Sequence, residues 1–479
     1  MENDALVFSL SPYLRTDAVT LKNVVSLDSK NKDDSTSYLG IDYSLGFDLK
    51  LKQLDSEAFI KFERNGPYDY DAPVAIHNTL VTSAGHMDPY RGKELLPQVE
   101  EFWYDFPVLK SKLRLKTGLF TYSVGNGIAL NGSYENYAVS LYHETDNFKW
   151  HFYYCRPDLA NKDLGPHIKQ LKPQGIDYEH SKANFYAMDF DFALGKNSFQ
   201  PYVGVLYDAT GDKRVNYFTT PTHKDMLGTF GLSYSAEIEK LLINLEAARN
   251  FGKAKSSDEA FKDVEHCGYL LYAQLSYLLD KFAPRTRFVY GSGNKVTTEM
   301  VDNGDLTLTS GRNRAFSVCS PMNVNLNDSI YPDNPFTPVL AMGNGNGLNY
   351  GVSRPTTFND PVLLDNIMLF SLGFDYNFTK KFSMSLDWWY LRSQQRGVGI
   401  LDGAAIQLSR DLGNEIDTTF NYAFNDHVSV SLLSAVFFPG KYYEERRDDT
   451  DGSLFSPFVR GDGEANNAYQ IEASLTLSF

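Results

Sequence analysis

The sequence predicts an all-β protein: a transmembrane antiparallel β-barrel of 18 strands, with short periplasmic turns and long extracellular loops, occupying 1–479 as one domain. Three observations predict it. Apolar and polar residues alternate with period two along many segments, aromatic residues reach 14% in a chain of negative mean hydropathy, and short connections alternate with long ones. The end of the chain shows the alternation best. Tyr469, Ile471, Ala473, Leu475, Leu477 and Phe479 interleave with Gln470, Glu472, Ser474, Thr476 and Ser478. Soluble half-buried strands usually run about 5–6 residues, whereas a tilted membrane crossing takes about 9–11. This segment has membrane length.

The same rhythm recurs upstream. Leu39, Ile41, Tyr43, Leu45, Phe47, Leu49 and Leu51 oppose Gly40, Asp42, Ser44, Gly46, Asp48 and Lys50, and Phe370, Leu372, Phe374, Tyr376 and Phe378 oppose Ser371, Gly373, Asp375 and Asn377. In a bilayer each backbone N–H and C=O needs a partner, so strands survive only as a closed barrel. Its outside is then apolar and its lumen polar, with Tyr and Phe girdles at the interfaces.

Composition excludes other classes. The longest apolar run is Tyr269 to Ala273, far short of the roughly 20 residues of a transmembrane helix. A net charge of −15 argues against nucleic acid as a partner, since phosphate neutralisation needs surplus Lys and Arg. Cys155, Cys267 and Cys319 are too few for a disulfide framework, though one pair could form in an oxidising compartment. MENDALVFSL has neither a charged n-region nor an apolar h-region, so either the chain is not exported or its signal has been removed.

Counting connections gives size and orientation. Eight short links fall at Gln53–Ser56, Val108–Ser111, Glu144–Phe148, Gly195–Ser198, Glu237–Lys240, Asp280–Phe282, Thr379–Lys381 and Phe424–His427. Nine long ones alternate with them, the longest being Ser292–Asn366, rich in turn residues and expected to fold over or into the barrel mouth. Seventeen connections join eighteen strands, an even number as in bacterial single-chain barrels, with the short links on the periplasmic side. The count requires one strand through Pro12.

The terminal Phe479 resembles the recognition signal of bacterial outer-membrane barrels. EEFWYDFP at Glu100–Pro107, LDGAAIQLSRDLGNEIDTTFNY at Leu401–Tyr422 and VFFPGKYY at Val436–Tyr443, with the strand count, resemble the alginate-export porin family. The resemblance implies a monomeric barrel in the bacterial outer membrane, in contact with lipid and lipopolysaccharide, that passes an anionic uronate polysaccharide. Two departures stand out. The last periplasmic turn is only Phe424–His427, and Lys112–Gly127 keeps Arg114 and Lys116 but has Phe, Thr and Tyr where the exporter's constriction continues basic.

Alternation assigns the lumen. Asp42, Asp48, Glu57, Glu101, Asp105, Asp189, Asp191, Asp208, Glu246, Asp375, Asp387, Glu415, Asp417 and Glu472 fall on the polar face, against Lys50, Lys61, Arg114, Lys116, Arg285 and Arg287. A channel wall of one sign concentrates the opposite ion, so the acid surplus favours cationic or neutral hydrophilic solutes, saccharides included. Arg285 with Arg287, and Arg114 with Lys116, either form a basic ladder for a carboxylate or phosphate or act as struts to nearby Asp. Trp103, Tyr153, Tyr202 and Trp389 either stack sugar rings or fill space.

Enzyme chemistry has no motif here. His77 and His86 share a loop without metal-ligand spacing, GNGNG at 343–347 lacks the context of a phosphate cradle, and Glu415 with Asp417 has no nucleophile beside it. Asp448, Asp449 and Asp451 form either a solvated loop or a divalent-ion bridge to lipopolysaccharide. No cofactor or metal is expected. The leading expectation is a porin for passive diffusion, against a polysaccharide exporter and a structural barrel or adhesin.

Overall fold

Among the residues described, eighteen strands follow one another around a single ring, each antiparallel to both neighbours. They are β1 (Leu6–Lys22), β2 (Ser35–Leu51), β3 (Ser56–Arg64), β4 (Gln98–Pro107), β5 (Leu113–Leu119), β6 (Tyr137–Glu144), β7 (Phe148–Cys155), β8 (Ala183–Leu194) and β9 (Asn197–Asp208). The second half comprises β10 (Pro221–Ile238), β11 (Leu241–Ser256), β12 (Tyr269–Tyr277), β13 (Phe282–Gly291), β14 (Ile367–Asn377), β15 (Phe382–Ser393), β16 (Asp411–Ala423), β17 (Val428–Pro439) and β18 (Ala468–Ser478). Pairing of β18 with β1, from Tyr13 opposite Ser478 to Lys22 opposite Tyr469, closes the barrel and removes every free edge.

The computed structural model describes residues 6–23, 35–64, 67–68, 98–109, 111–132, 137–156, 183–209, 214–215, 221–256, 259, 262–302, 311–319, 357–358, 364–401, 404–445 and 465–479. His77, His86, the GNGNG run and the acidic run at 448–451 lie outside them, as does most of 320–363.

Pro12 does not split the first strand. Phe479 N–H donates to the Pro12 carbonyl at 3.2 Å, so the missing Pro12 N–H points to the same side, just beyond the end of β18. A proline is tolerated where no ladder partner remains to be lost. Beyond it, Leu6 to Ser11 pair only with β2.

All eight short links join consecutive strands at one end, which is the periplasmic end. Their sequences explain their tightness. Thr379 Oγ1 accepts from the N–H groups of Lys381 and Phe382, Asn425 Oδ1 from those of His427 and Val428, and Thr145 Oγ1 from that of Phe148. Such side chains close a turn by satisfying backbone donors locally. Aromatic rings gather near this end, with centroids 4.8 Å apart for Phe378 and Phe382 and 4.9 Å for Tyr422 and Phe424. Phe479 stacks on His427 at 5.2 Å.

The two faces obey the alternation. Phe230, Leu232, Leu245, Leu271, Phe370, Leu372, Ile416, Leu432, Ile471 and Leu475 are exposed outward, while Asp189, Glu246, Arg285, Asp387 and Ser474, at the opposite parity, are buried inward. A slip of one residue would exchange these sets, so the lipid face fixes the register.

Candidate functional site

Along each strand the inner face changes character with depth. Inward residues are half-exposed near the short turns and buried toward the long loops, as in β11, where Leu242 and Asn244 give way to Glu246, Ala248 and Asn250. The same gradient runs along β7, β9, β13 and β15. The periplasmic half of the lumen is open and the extracellular half is filled.

In the open half the bases are tied to carboxylates. Arg114 Nε donates to Asp105 Oδ1 at 2.9 Å and Nη1 to Asp55 Oδ2 at 3.0 Å, while the Tyr142 hydroxyl donates to the other Asp105 oxygen. Arg15 pairs with Asp17 at 2.7 Å and Glu472 at 2.6 Å. Lys50 reaches Glu57 at 3.2 Å and Asp48 at 3.4 Å. Lys116 differs: its Nζ sits 3.7 Å from the Trp103 ring centroid and 4.8 Å from that of Phe120, with Phe59 stacked on Trp103 at 5.5 Å. Ring quadrupoles attract the ammonium there.

At the boundary between halves, Arg285 grips Asp387 with two parallel bonds of 3.0 and 2.6 Å and also pairs with Asp375. Arg287 Nη1 lies 3.3 Å from Asp387, and its guanidinium is 5.2 Å from the Trp389 ring centroid. These contacts are those of struts. Asp375 keeps 48% of its side chain exposed, but Asp417 is 7% exposed and Glu415 fully buried. Parity places all three inward; depth decides that only Asp375 meets water.

Two in-folded segments fill the extracellular half. In 120–132, Tyr122 stacks on Tyr153 at 4.6 Å and donates to Asp189 Oδ1 at 2.5 Å. Gln200 donates to the other Asp189 oxygen at 3.1 Å and accepts from Gly125 N–H at 2.8 Å. Glu246 accepts from Asn126 N–H at 2.9 Å and from the Tyr202 hydroxyl at 2.6 Å. Leu130 then rests against Gly204, where any Cβ would collide with it. Burial, and then Asp189, raise the Tyr122 phenol above its ordinary value, keeping it a neutral donor.

The second segment, 311–319, belongs to the long Ser292–Asn366 connection. Asn250 behaves toward it as a piece of backbone, accepting from Ser317 N–H and donating to Ser317 C=O, both at 2.8 Å. Cys319 N–H donates to Ala129 C=O at 3.1 Å, and Leu130 bridges to Cys319. The two loops thus meet inside the wall. Burial pushes the Cys319 thiol up to about 12, so it stays protonated.

Sequence reasoning missed Arg15 and Asp17, which continuing the parity of β1 through Pro12 reveals, and His151, which shares its face with Tyr153. His151 lies 3.2 Å from Asp189 and 3.3 Å from Glu144. Nothing in the local sequence marks Tyr122 or Asn126, because their partners are 67 and 120 residues away.

Neither a protein-family model nor a curated protein matches the chain. Solved structures do. OccK2 (OpdF) of Pseudomonas aeruginosa is similar at a TM-score of 0.51 and 8% identity, over 98% of each chain. A BenF-like porin from Pseudomonas fluorescens Pf-5 gives the same values. OccK2 in complex with glucuronate gives 0.50 and 9%, again over 98% of each chain. The fold is that of a bacterial outer-membrane porin. At such identities the likeness speaks for architecture alone, and the alginate-export resemblance rests on the short motifs that suggested it.

Proposed function

We propose that this barrel is a monomeric, non-enzymatic channel through which small hydrophilic solutes diffuse passively, filtered by charge and by a narrow extracellular half. One observation carries the reading: in the open half of the lumen three bases are each shared between two carboxylates, Arg15 between Asp17 and Glu472, Lys50 between Asp48 and Glu57, and Arg114 between Asp55 and Asp105. The acid surplus therefore stays uncompensated and favours cations and neutral solutes. Trp103, Asp105, Arg114, Lys116 and Asp375 form the solute-facing set. Arg285, Arg287, Asp387 and Asp417 hold the boundary, and Glu415 and Trp389 shape the filled part. The glucuronate bound by OccK2 supports a sugar-sized solute; a carboxylated one would meet repulsion here.

A second reading, export of a uronate polymer, draws on the EEFWYDFP and LDGAAIQLSRDLGNEIDTTFNY motifs, and the neutralised arginines oppose it. Reversal potentials in asymmetric salt across planar bilayers decide. Cation preference is expected; anion preference, with block by a uronate polymer, makes the chain an exporter. A lumen that carries no current makes it a structural barrel.

A further inference from the structure

Lys116 stands beside carboxylates that are already taken. Asp105 lies directly opposite it on β4, but Arg114 holds one Asp105 oxygen and the Tyr142 hydroxyl the other. Glu57, opposite Asp105 on β3, is held by Lys50. Among the described residues Lys116 makes no ion pair, and its ammonium lies instead against two rings, 3.7 Å from the Trp103 centroid and 4.8 Å from that of Phe120. Gly118 leaves the gap it fills. This residue pairs with Trp103 at φ +133°, a conformation that suits glycine, so no inward side chain separates Lys116 from Phe120.

Glu101 completes the surroundings. It shares the inner face of β4 with Trp103, about 7 Å along the strand, and its carboxylate makes no ion pair among the described residues. Lys61, which it faces on β3, is engaged by Glu63. Phe59, Glu101, Trp103 and Lys116 are all half-buried, so the group opens onto the lumen. Ring faces attract an ammonium, and an unpaired carboxylate beside them adds a charged acceptor. The chain's own ammonium shows what the seat takes. We propose that Phe59, Trp103, Phe120 and Glu101 form a binding seat for a small primary amine, which displaces Lys116 as a tethered occupant. Glu57, Glu101 and Asp105 repel a solute that also carries a carboxylate. The seat names a solute class for the proposed channel and rests on that reading for its place on the solute path.

The probe is n-butylammonium. Saturation-transfer NMR on the detergent-solubilised full chain reads binding independently of conduction, and planar bilayers read interruptions of single-channel current. Millimolar binding with current block is expected, and uncharged n-butanol should give neither. Lys116→Ala leaves the seat permanently open and should tighten amine binding about fivefold. Glu101→Gln and Trp103→Leu should each weaken it by about the same factor. Losing a lumenal cation also attracts potassium, so preference for the amine over potassium must rise in Lys116→Ala. Heat-modified gel migration reports folding of each variant. No binding to either the parent chain or Lys116→Ala, unchanged affinity in Glu101→Gln, or equal gains for amine and potassium would each overturn the seat and leave a cation-selective channel standing. Amine binding to a barrel that carries no current would keep the seat and remove the channel.

Discussion

The periplasmic and extracellular halves of the lumen are built from the same alternating strands yet behave as different materials. Near the short turns, inward charges are half-exposed, and Arg114, Lys50 and Asp375 remain in contact with water even where paired. Toward the long loops, Asp189, Glu246 and Glu415 are buried. A buried carboxylate is costly unless its oxygens are satisfied, and Tyr122, Asn126, Gln200 and Tyr202 provide that satisfaction. The difference teaches that an inward polar residue is a pore wall only where no loop covers it. Elsewhere it is a dock for that loop.

The sharpest way to break this comparison is to undock a loop. Glu246→Ala with Tyr202→Phe should free 120–132 and raise single-channel conductance several-fold; an unchanged conductance would show that this segment does not set the bore. Arg285→Ala leaves Asp387 with only the 3.3 Å contact to Arg287 and should cost about 1–3 kcal/mol of stability, read from the urea midpoint of refolded barrel. A cost below about 1 kcal/mol would mean that water already screens the pair, moving the boundary deeper.

Asp417→Lys and Asp375→Lys contrast the halves directly. The first inserts a charge at a buried site and should impair folding, whereas the second should move the reversal potential toward anions with folding intact. If both fold equally well, the depth gradient is wrong. The smallest effect is expected from Lys116→Met, which keeps contact with Trp103 and Phe120 but removes a lumenal cation. Cation preference should rise modestly, and a fall would sink the assignment of Lys116 to the solute path.

Much of the barrel was legible in advance because its causes are local. The eight short links, the even count and the continuity of β1 through Pro12 follow from period-two patterning and turn chemistry, and the eighteen-strand ring bears them out. Short connections were easiest, since Thr379 or Asn425 closes a turn with groups two or three residues away. The lumen was legible in direction but not in depth. Asp417 and Asp375 read identically in sequence, and the arginine pairs left ladder and strut open until Arg285 was seen to grip Asp387 from 102 residues away.

By itself the sequence determined the wall: a strand exposes alternate side chains to lipid, so a two-residue rhythm encodes inside and outside wherever it occurs. Only the tertiary structure decided which inward residues meet water, which hold the loops, and which arginines are spent on carboxylates. Those outcomes depend on contacts such as Asn126 with Glu246 and Ser317 with Asn250, made by segments far apart in the chain, and no local pattern records them.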